Sequence, residues 1–513
     1  MSQLGLGEKF PFENLVIFEM ANNHQGDVAH GKRIIAEMGK LAAEHGVRAA
    51  IKFQFRDLDT FVHPAHKNGS DNKHVPRFFS TRLSDDQFAE LVAEVRAQGL
   101  VAMATPFDEK SVDLIERLNL DIVKVASCSA TDWPLLERAA ETGKPVICST
   151  AGLEIPEVDR LVSFFQHRGI HFALMHCVGM YPTPPEKMDL TRIAVFKNRY
   201  PGVVVGYSTH EDPNDIVSLG MAYAQGARIF EKHVGVPTET IKLNAYSASP
   251  EQAAGWIKSF KLAGASIRND LPPRDAEEVR QLKALTRGVF AKRLIRAGET
   301  ITRGDIYFAF PFAEGGIASG EFKHGVVADR DYRQDEPLGA AVKSSDDKKR
   351  RAIYDAIHAV KGMLAEAKIP VGLEFNIELS HHYGLDNFHK IGVAIIDCIN
   401  REYCKKILVQ LPGQRHPSHY HKKKEETFQL LSGRLEIEME GRRKTLYPGD
   451  IAVVPRGAWH YFWTETGAIF EEVSTTHFND DSFYEDREIA KMPREARKTK
   501  LINWGRHQFE EKN

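Results

Sequence analysis

The residues most able to do chemistry near the end of the chain are three histidines and a glutamate. His419 and His421 are separated by one residue, Glu426 follows five positions later, and His460 comes just after a Pro-Arg-Gly turn. Side chains two apart on a strand share a face, so the first two imidazoles are expected to point the same way. Three imidazoles and a carboxylate suit Mn, Fe, Zn, Ni or Co and leave positions open for a ligand. This spacing predicts a metal centre in a β-domain.

A second group of polar residues follows the apolar runs of the first 235 residues. There are eight such runs, and polar side chains stand at their ends: Glu19, Lys52 with Gln54, Thr105, Lys124 with Ser127, Ser149, His176, Ser208 with His210, and Glu231 with His233. Any one of these is more simply explained as a solvated loop residue or a satisfied buried one. Polar residues at eight strand ends in succession are not explained in that way, because the carboxyl ends of parallel barrel strands meet on one face and form a site there.

The residue types at these strand ends indicate a reaction class. Lysines and hydroxyls bind phosphate and carboxylate through charge-assisted hydrogen bonds. His210 and His233 lie at adjacent strand ends and form a pair able to share a divalent metal, which would polarise a carbonyl or orient a water. Glu19 is then a candidate base or metal-site carboxylate, and His24 and His176 are expected to line the same cleft. The residues predict metal-assisted chemistry on an anionic, phosphorylated small substrate.

The elements that must position these residues alternate in type. The apolar runs are Leu15–Glu19, Ala49–Phe53, Val101–Thr105, Ile122–Ala126, Val146–Ser149, Phe172–His176, Val203–Ser208 and Arg228–His233. Most intervals between them have helical periodicity, as in 31–46 and in 84–99, which opens on a Ser-Asp cap and closes on a glycine. Eight strands alternating with helices is the count of a (β/α)8 TIM barrel. A doubly wound open sheet is the second choice, since it usually has fewer strands.

Beyond the barrel the chain changes character several times. We expect a barrel domain over 1–270, a charged linker over 271–285, a small β-rich module over 286–345, a linking helix over 346–370 and an antiparallel β-domain over 371–513. In the last domain, His416 and His477 are interpreted as structural histidines. His381, His382 and His389 are interpreted as loop residues near the mouth of that domain.

Composition excludes several function classes. The chain has 513 residues, 68 Lys and Arg against 70 Asp and Glu, and a net charge of -2, so it carries no basic field for a nucleic-acid backbone. No run approaches 18 apolar residues, which argues against a membrane span. Charges and Pro11 precede the first apolar run, so no signal peptide is expected. Five cysteines without a CxxC pair indicate a reduced, cytoplasmic protein.

Several segments resemble the sialic acid synthase family, whose members condense phosphoenolpyruvate with an N-acetylhexosamine. They are FEMANNHQGD (18–27), AIKFQ (50–54), TPFD (105–108), KVAS (124–127), YPTP (181–184), GYSTH (206–210) and EKH (231–233). Residues 287–306 resemble the antifreeze-like (SAF) domain that follows the barrel in that family. The spacing of glycines, histidines and glutamate over 413–464 resembles both signature motifs of the cupin family.

The resemblance implies roles for individual residues. It implies that His210 and His233 bind manganese (or magnesium or cobalt) and that Glu19 lies near the metal-bound water. Groups around phosphoenolpyruvate are implied at Lys52, Lys124, Ser127, Ser149 and Ser208, and groups lining the cleft at Gln54, Thr105 and Tyr181. It also implies a homodimer in which the SAF domain caps a neighbour's barrel.

Three departures from the family pattern fall on the acceptor side. The family usually has a glutamate where this chain has Ser129, an aspartate near the place of Asn244, and an arginine where this chain has Phe310. Condensation with phosphoenolpyruvate is therefore expected to remain, while the acceptor is expected to differ from N-acetylmannosamine.

Alternatives remain for both domains. Residues 470–489 resemble the tail of sugar-isomerase cupins of the lyxose isomerase kind, with Glu471 or Glu472 as a proton-transfer carboxylate. The cupin would then bind or isomerise a related sugar; otherwise it is a non-catalytic sugar sensor or an oligomerisation module. The barrel could instead use a phosphorylated aldose, as in the related 3-deoxy-octulosonate-phosphate synthases, although the SAF-like module and YPTP argue against this.

Overall fold

The computed structural model describes residues 10–67, 69–268, 273–323, 325–339, 346–372, 375–502 and 504. The chain divides into two compact units, Met1–Pro272 and Pro273–Asn513. The finer division into five segments stays a prediction. Across the described residues, no helix combines the length and the apolar character needed to cross a bilayer.

The first unit contains a closed barrel of parallel strands in chain order, with the eighth strand pairing back to the first. The described strands are β1 Leu15–Glu19, β2 Ala49–Phe55, β3 Val101–Pro106, β4 Ile122–Val125, β5 Val146–Ser149, β6 Phe172–Cys177, β7 Val204–Thr209 and β8 Ile229–His233. The predicted TIM barrel is confirmed, and the strand ends differ from the predicted runs by two residues at most.

Helices cover the outside of this barrel. In the described part of the unit they are α1 Val28–His45, α2 Leu58–Phe61, α3 His74–Ser80, α4 Asp85–Ala97, α5 Glu109–Arg117, α6 Trp133–Glu141, α7 Ile155–His167, α8 Thr191–Arg199, α9 Val217–Ala224 and α10 Pro250–Ser266. The start of α4 is a capping box in which the Ser84 side chain accepts from the Gln87 N–H and the Gln87 side chain accepts from the Ser84 N–H. Gly99, with a φ of +69°, follows its end as predicted.

Alternation along each strand separates the apolar interior of the barrel from its polar end. Leu15 and Ile17 belong to the inner core of the barrel, while Val16 and Phe18 belong to the core between strands and helices. The next residue on the inner series of β1 is Glu19. Because side chains alternate, every second residue of a strand points into the barrel. The last inward-pointing residue of each strand therefore lies at the carboxyl end of the barrel.

The second unit is rich in β-strands. Its first described strands are β9 Gly288–Ala291, β10 Thr300–Ile301, β11 Ile306–Ala309 and β12 Val326–Val327, paired as β9 with β11 and β10 with β12. These strands share a small apolar core that includes Val289, Ile301 and Tyr332.

Two antiparallel sheets follow. Their described strands are β13 Asn376–Ser380, β14 Val393–Asn400, β15 Tyr403–Gln410, β16 Arg415–Tyr420, β17 Glu426–Gly433, β18 Leu435–Met439, β19 Arg442–Leu446, β20 Ile451–Val454, β21 His460–Trp463, β22 Ala468–Thr475, β23 Phe483–Tyr484 and β24 Lys498–Leu501. One sheet has the order β20-β17-β22-β15-β14-β13-β24, and the other has the order β19-β18-β21-β16-β23. The expected β-rich C-terminal region is confirmed.

The described helices of this unit are α11 Ala276–Ala284, α12 Asp346–Glu366, α13 Arg487–Lys491 and α14 Arg494–Arg497. The predicted linking helix, α12, does more than connect two regions. Its residues Ile357, Val360 and Leu364 are buried in one core with Ile377 and Leu379 of β13. Because these apolar residues recur at helical spacing, one face of α12 is part of the β-domain's core.

Candidate functional site

The carboxyl end of the barrel holds a cavity of about 1020 Å³. Every barrel residue proposed from the sequence for catalysis, metal binding or substrate binding lines it: Glu19, Lys52, Gln54, Thr105, Lys124, Ser127, Ser149, Tyr181, Ser208, His210, His233 and Asn244. These residues come from the ends of seven strands, β1 to β5, β7 and β8, and from the loops that follow β4, β6, β7 and β8. Their common location is what a barrel active site requires, while their individual roles stay predictions.

Two lysines and two glutamates form an ionic network at the base of this cavity. Lys52 Nζ contacts Glu19 and lies 2.7 Å from Glu231 Oε1. Lys124 Nζ donates to Ser149 Oγ at 2.6 Å and lies 3.9 Å from Glu231 Oε2. The Ser208 hydroxyl donates to Glu231 Oε1 at 2.9 Å. Glu231 thus connects both lysines, and the network holds two ammonium groups at the base of the cavity.

Burial shifts the protonation of this network. It lowers the pKa of Lys52 to about 8, against the raising effect of Glu231. Burial also opposes ionisation of Glu231, yet the Lys124 and Lys52 ammonium groups together hold the pKa of its carboxyl below the usual value. The network thus favours the ionised form of Glu231, while burial weakens the hold of Lys52 on its proton.

The two predicted metal-binding histidines lie side by side, with ring centroids 5.4 Å apart. Burial lowers the pKa of His210 to about 4 and holds the pKa of His233 well below its usual value. His210 Nδ1 donates to the Val178 carbonyl at 2.9 Å, which leaves its Nε2 lone pair available. Neutral imidazoles with one nitrogen fixed by a hydrogen bond are suited to a divalent metal.

Two tyrosines pack against this histidine pair. The Tyr181 ring lies 4.1 Å from the His210 ring, and the Tyr246 ring meets the His233 ring edge-on at 5.1 Å. Tyr181 is 54% exposed, so it stands between the histidines and solvent. Sequence reasoning identified Tyr181 but missed Tyr246, which no strand pattern indicates.

Strand alternation explains which sequence interpretations failed in the barrel. Glu231 is among the polar strand-end residues expected to meet on one face, although no role was assigned to it, and it shares the inner series of β8 with Ile229 and His233. His176 lies on the outer series of β6; it is buried and its Nε2 donates to the Met188 carbonyl at 2.7 Å. His24 is also buried and accepts from the Gly26 N–H. Neither histidine is among the residues described as lining the cavity, so the prediction for His176 was wrong, whereas His24 lies in a small pocket that shares Gln54 and Arg56 with the cavity.

The four predicted ligands of the C-terminal domain converge as the spacing requires. One ligand atom from each of His419, His421, Glu426 and His460 lies within 4.8 Å of the others, and all four residues are buried. His421 Nε2 is 3.4 Å from Glu426 Oε1, and His460 Nε2 is 3.2 Å from Glu426 Oε2. Glu426 Oε2 and His460 Nε2 are buried; despite their proximity they form no aligned hydrogen bond with each other, and neither has another partner in the described part of the chain. Orphaned acceptors of this kind fit a divalent metal.

Backbone carbonyls orient all three imidazoles. The Nδ1 atoms of His419 and His460 donate to the carbonyls of Pro417 and Ala458 at 3.0 and 3.1 Å. His421 Nδ1 donates to the Asp481 carbonyl. Each histidine therefore presents Nε2 to the cluster, the arrangement seen around metal-binding histidines.

Asp481 also fixes the loop before Glu426. Its carboxylate accepts from the backbone N–H groups of Lys422, Lys423 and Lys424 at 2.9 to 3.0 Å. This loop carries the chain from β16, which contains His419 and is followed directly by His421, to β17, which begins with Glu426. Because Asp481 lies about 60 positions further along, sequence spacing could not reveal this support.

A cavity of about 280 Å³ adjoins the cluster. Lys424 contacts Glu426 and lies 3.0 Å from Glu472 Oε1, and Lys406 lies 3.7 Å from the same oxygen. Of the two carboxylates considered from sequence, Glu472 is buried and lines the cavity, whereas Glu471 pairs with Lys405 on the other face of β22.

Three further histidines were expected near the mouth of this domain. His389 is exposed. His381 and His382 are buried, and His382 Nε2 lies 3.1 Å from His416 Nε2. Both lie in the turn that follows β13, as the loop interpretation expected, but they are buried. The turn after β13 folds inward, which the polar sequence gave no reason to expect.

Comparison with known proteins identifies both halves of the chain. Residues 38–259 match the NeuB family, and residues 407–473 match the cupin domain. A crystal structure assigned to spore coat polysaccharide biosynthesis protein E from Chromobacterium violaceum is 45% identical, covers 64% of this chain and 99% of its own, and has a TM-score of 0.62. The chain belongs to the NeuB family.

Other NeuB-family relatives carry names of specific synthases. The N,N′-diacetyllegionaminic acid synthase of Campylobacter jejuni is 25% identical over 338 residues, which are 63% of this chain and 98% of its own. The N-acetylneuraminate-9-phosphate synthase of Mus musculus is 28% identical over 311 residues, which are 58% of this chain and 82% of its own. The NeuB-family barrel is thus similar to synthases of sialic-acid-type sugars. The SAF assignment of 286–345 stays a prediction.

Proposed function

We propose that the barrel condenses phosphoenolpyruvate with an aldose to give a 2-keto-3-deoxy acid of the sialic acid type, with release of phosphate. The observation that carries this proposal is the meeting of two buried lysines and two neutral histidines in one cavity. The lysines suit the anion, and the histidines suit a divalent metal.

The proposed reaction divides the cavity into two working regions. Lys52 and Lys124, with the hydroxyls of Ser127, Ser149 and Ser208, bind the phosphate and carboxylate of phosphoenolpyruvate. Its C3 attacks the aldehyde carbon of the sugar, water adds at C2, and phosphate leaves by cleavage of the C–O bond.

The other region orients the aldehyde. His210 and His233 would hold a divalent metal, with manganese, magnesium or cobalt as candidates, and that metal would supply charge stabilisation for the developing alkoxide. Glu19 is the candidate for moving the proton of the attacking water, since its Oε1 is buried without a hydrogen-bond partner in the described part of the chain. Gln54, Thr105, Tyr181 and Asn244 contribute to the walls around the sugar.

We also propose that the acceptor differs from N-acetylmannosamine. Ser129, which stands where the resemblance implies a glutamate, is buried beneath the cavity wall and is not among the described lining residues. Phe310, which stands where it implies an arginine, is 60% exposed and offers no charge to a substrate. The proposal includes a homodimer, as the resemblance implies. It assigns Phe310 no role in binding the substrate of the partner subunit.

The cupin is proposed to bind a divalent metal and a sugar. His419, His421, Glu426 and His460 would hold Mn, Fe, Zn, Ni or Co. Glu472 is the candidate proton-transfer carboxylate for an isomerisation because it lines the cavity beside this cluster. A non-catalytic sugar sensor is the second candidate, since Glu472 is already held by two lysines.

The direct test uses the purified full chain with phosphoenolpyruvate and a panel of aldoses, with and without a chelator. We expect metal-dependent phosphate release with at least one aldose and a 2-keto-3-deoxy acid by mass spectrometry. Phosphate release from no aldose in the panel would contradict the barrel proposal.

The cupin proposal is tested separately with the double variant H419A/H421A. We expect loss of sugar isomerisation and unchanged phosphate release. Unchanged isomerisation, together with altered sugar affinity or assembly, would favour the sensor.

A further inference from the structure

Three cationic side chains line the cavity beside the histidine cluster of the cupin. Arg494 belongs to α14, and Lys498 and Lys500 belong to β24. In the antiparallel pairing of β13 with β24, Lys500 lies opposite Glu378 and Lys498 lies opposite Ser380. Residues two apart on a strand share a face, so both lysines point to the cavity that Glu378 and Ser380 also line. We call Arg494, Lys498 and Lys500 the wall cations.

All three wall cations share a single carboxylate, that of Glu378, which is buried. Lys498 Nζ donates to Glu378 Oε1, and the Arg494 guanidinium donates to Glu378 Oε2 at 3.1 Å. Lys500 Nζ lies 3.9 Å from the same Oε2. Because one carboxylate balances only one of the three positive charges, the group keeps an excess of positive charge at the cavity.

The other carboxylates of the cavity do not remove this excess. Glu426 and Glu472 are engaged by Lys424 and Lys406. Asp397 lines the cavity without an ion pair in the described part of the chain, and burial raises the pKa of its carboxyl, which favours the neutral form. The described lining thus has five lysine and arginine side chains against four carboxylates, before a divalent metal adds its own positive charge.

His477 indicates the sign of the potential in this cavity. Its side chain lines the cavity, and burial lowers its pKa to about 2. Four cationic side chains of the cavity add to that lowering, namely Lys406, Lys424, Lys498 and Arg494. Its Nδ1 is buried without a hydrogen-bond partner in the described part of the chain. The cavity therefore disfavours a further positive charge and offers a neutral imidazole to a ligand.

We propose that the ligand of the cupin cavity is a sugar acid, whose carboxylate is bound by Arg494, Lys498 and Lys500 while its hydroxyl or carbonyl oxygens face the histidine cluster. This inference rests on the proposed binding of a metal and a sugar by the cupin, and it names the class of that sugar. Lysine and arginine bind carboxylates through charge-assisted hydrogen bonds. A cavity of about 280 Å³ lies at the small end of ligand pockets, which suits a monosaccharide better than a longer saccharide.

A neutral aldose and a sugar phosphate are the rival ligands. A neutral aldose would displace water from the wall cations without balancing their charge, which is costly in a buried site. A phosphate would bring a second negative charge close to the carboxylate of Glu378. The barrel of the same chain is proposed to make a 2-keto-3-deoxy acid, so a sugar with one carboxylate fits both the charges of the cavity and the proposed chemistry.

The test measures binding to the manganese-loaded full chain by isothermal titration calorimetry. N-acetylneuraminate, 2-keto-3-deoxyoctonate and galacturonate are each compared with their methyl esters, and galactose and galactose 6-phosphate complete the panel. We expect at least one acid to bind about 100-fold more tightly than its ester, as for two charge-assisted hydrogen bonds.

The other outcomes of this titration separate the inference from the proposal on which it rests. Equal binding of the esters or of galactose would overturn the inference and leave the proposed sugar site intact. Tighter binding of galactose 6-phosphate than of every acid would assign the wall cations to phosphate and also overturn it. Binding of no sugar by the cupin would overturn the proposed sugar site itself.

The variant R494Q/K500Q assigns the binding to the cupin. Lys498 is retained, so Glu378 keeps a partner and β13 stays joined to β24. We expect the affinity for the acid to fall about 100-fold, while the affinity for its ester and the release of phosphate by the barrel stay unchanged. R487Q/K491Q removes an arginine and a lysine from the exposed side of α13, outside the described lining, and is expected to change none of these values. A lower melting temperature of R494Q/K500Q with unchanged affinity for the acid would show that the wall cations only support the fold, and would overturn the inference.

Discussion

The barrel and the cupin both gather histidines, but they use their carboxylates differently. In the barrel, Glu19 and Glu231 are committed to Lys52, and two histidines stand apart from them. In the cupin, Glu426 lies between histidines and completes a four-ligand cluster. A metal held by fewer protein ligands keeps more positions for substrate. If both clusters hold metals as proposed, the barrel site would leave positions for exchange of ligands and the cupin site would retain its metal tightly.

The buried lysines Lys52 in the barrel and Lys424 in the cupin also differ, in the direction in which their surroundings shift the pKa. Burial lowers the pKa of Lys52, which shares Glu231 with Lys124. Burial also opposes the charge of Lys424, yet the carboxylates of Glu426 and Glu472 together raise its pKa. The same side chain is thus poised for titration in the barrel and locked as a cation in the cupin. Near Lys52, the Lys124 ammonium acts with burial to lower the pKa and Glu231 is the carboxylate that opposes them, whereas two carboxylates raise the pKa of Lys424.

The largest effect is expected from E231Q in the barrel, which removes the anion shared by Lys52, Lys124 and Ser208. We expect kcat/KM for phosphoenolpyruvate to fall by about three orders of magnitude, because both ammonium groups lose the group that orients them. Steady-state kinetics measure the change, and thermal unfolding measures the accompanying loss of stability.

E211Q is the matched control for this variant. Glu211 is also buried and pairs with Lys232 at 2.7 Å, but neither residue is among those described as lining the cavity. We expect E211Q to lower the melting temperature while kcat/KM stays within about threefold, since breaking a buried pair is destabilising by itself. Equal kinetic losses in both variants would show that the network only supports the fold.

A smaller effect is expected when a chelator is titrated into the metal-loaded full chain. The barrel, with two histidines, should release its metal at about 100-fold lower chelator concentration than the cupin, with its four ligands. Phosphate release reports the first event, and metal content by mass spectrometry reports both. In H421A the cupin should release its metal at the same chelator concentration as the barrel. In H210A the release of barrel metal at low chelator concentration should be absent, and release from the cupin should be unchanged. Release from the cupin before the barrel would reverse the comparison.

Much of the barrel site was predictable because the alternation of side chains within each strand decides which residue reaches the carboxyl end of the barrel. The inner series Leu15, Ile17, Glu19 places a carboxylate at the barrel's end without any tertiary knowledge. The same alternation, from Ile229 through Glu231 to His233, places Glu231 at the same end of the barrel. The convergence of the cupin cluster was equally predictable, since two histidines separated by one residue in extended backbone share a face.

What sequence reasoning missed depends on residues far apart in the chain. Arg56 acquires its environment from Phe78 and Phe107, which lie 22 and 51 positions later. Asp481 reaches back to Lys424, and α12 packs on a sheet that its own sequence does not indicate. Such contacts exist only once the fold brings the segments together, so no local period or motif encodes them.

The smallest of these effects is a pH dependence that separates the two kinds of lysine. Lys52 binds an anion only while protonated, and burial lowers its pKa to about 8. As the pH rises through that value the ammonium loses its proton, so kcat/KM for phosphoenolpyruvate should fall about tenfold between pH 7 and pH 9. In K52R the guanidinium stays charged, so the overall rate changes but the alkaline fall should disappear. K424R in the cupin should leave the profile as it is, because the pKa of Lys424 is raised out of this range. If kcat/KM for phosphoenolpyruvate still fell between pH 7 and pH 9 in K52R, another group would be responsible for the fall. The proposed distinction between Lys52 and Lys424 would then be lost.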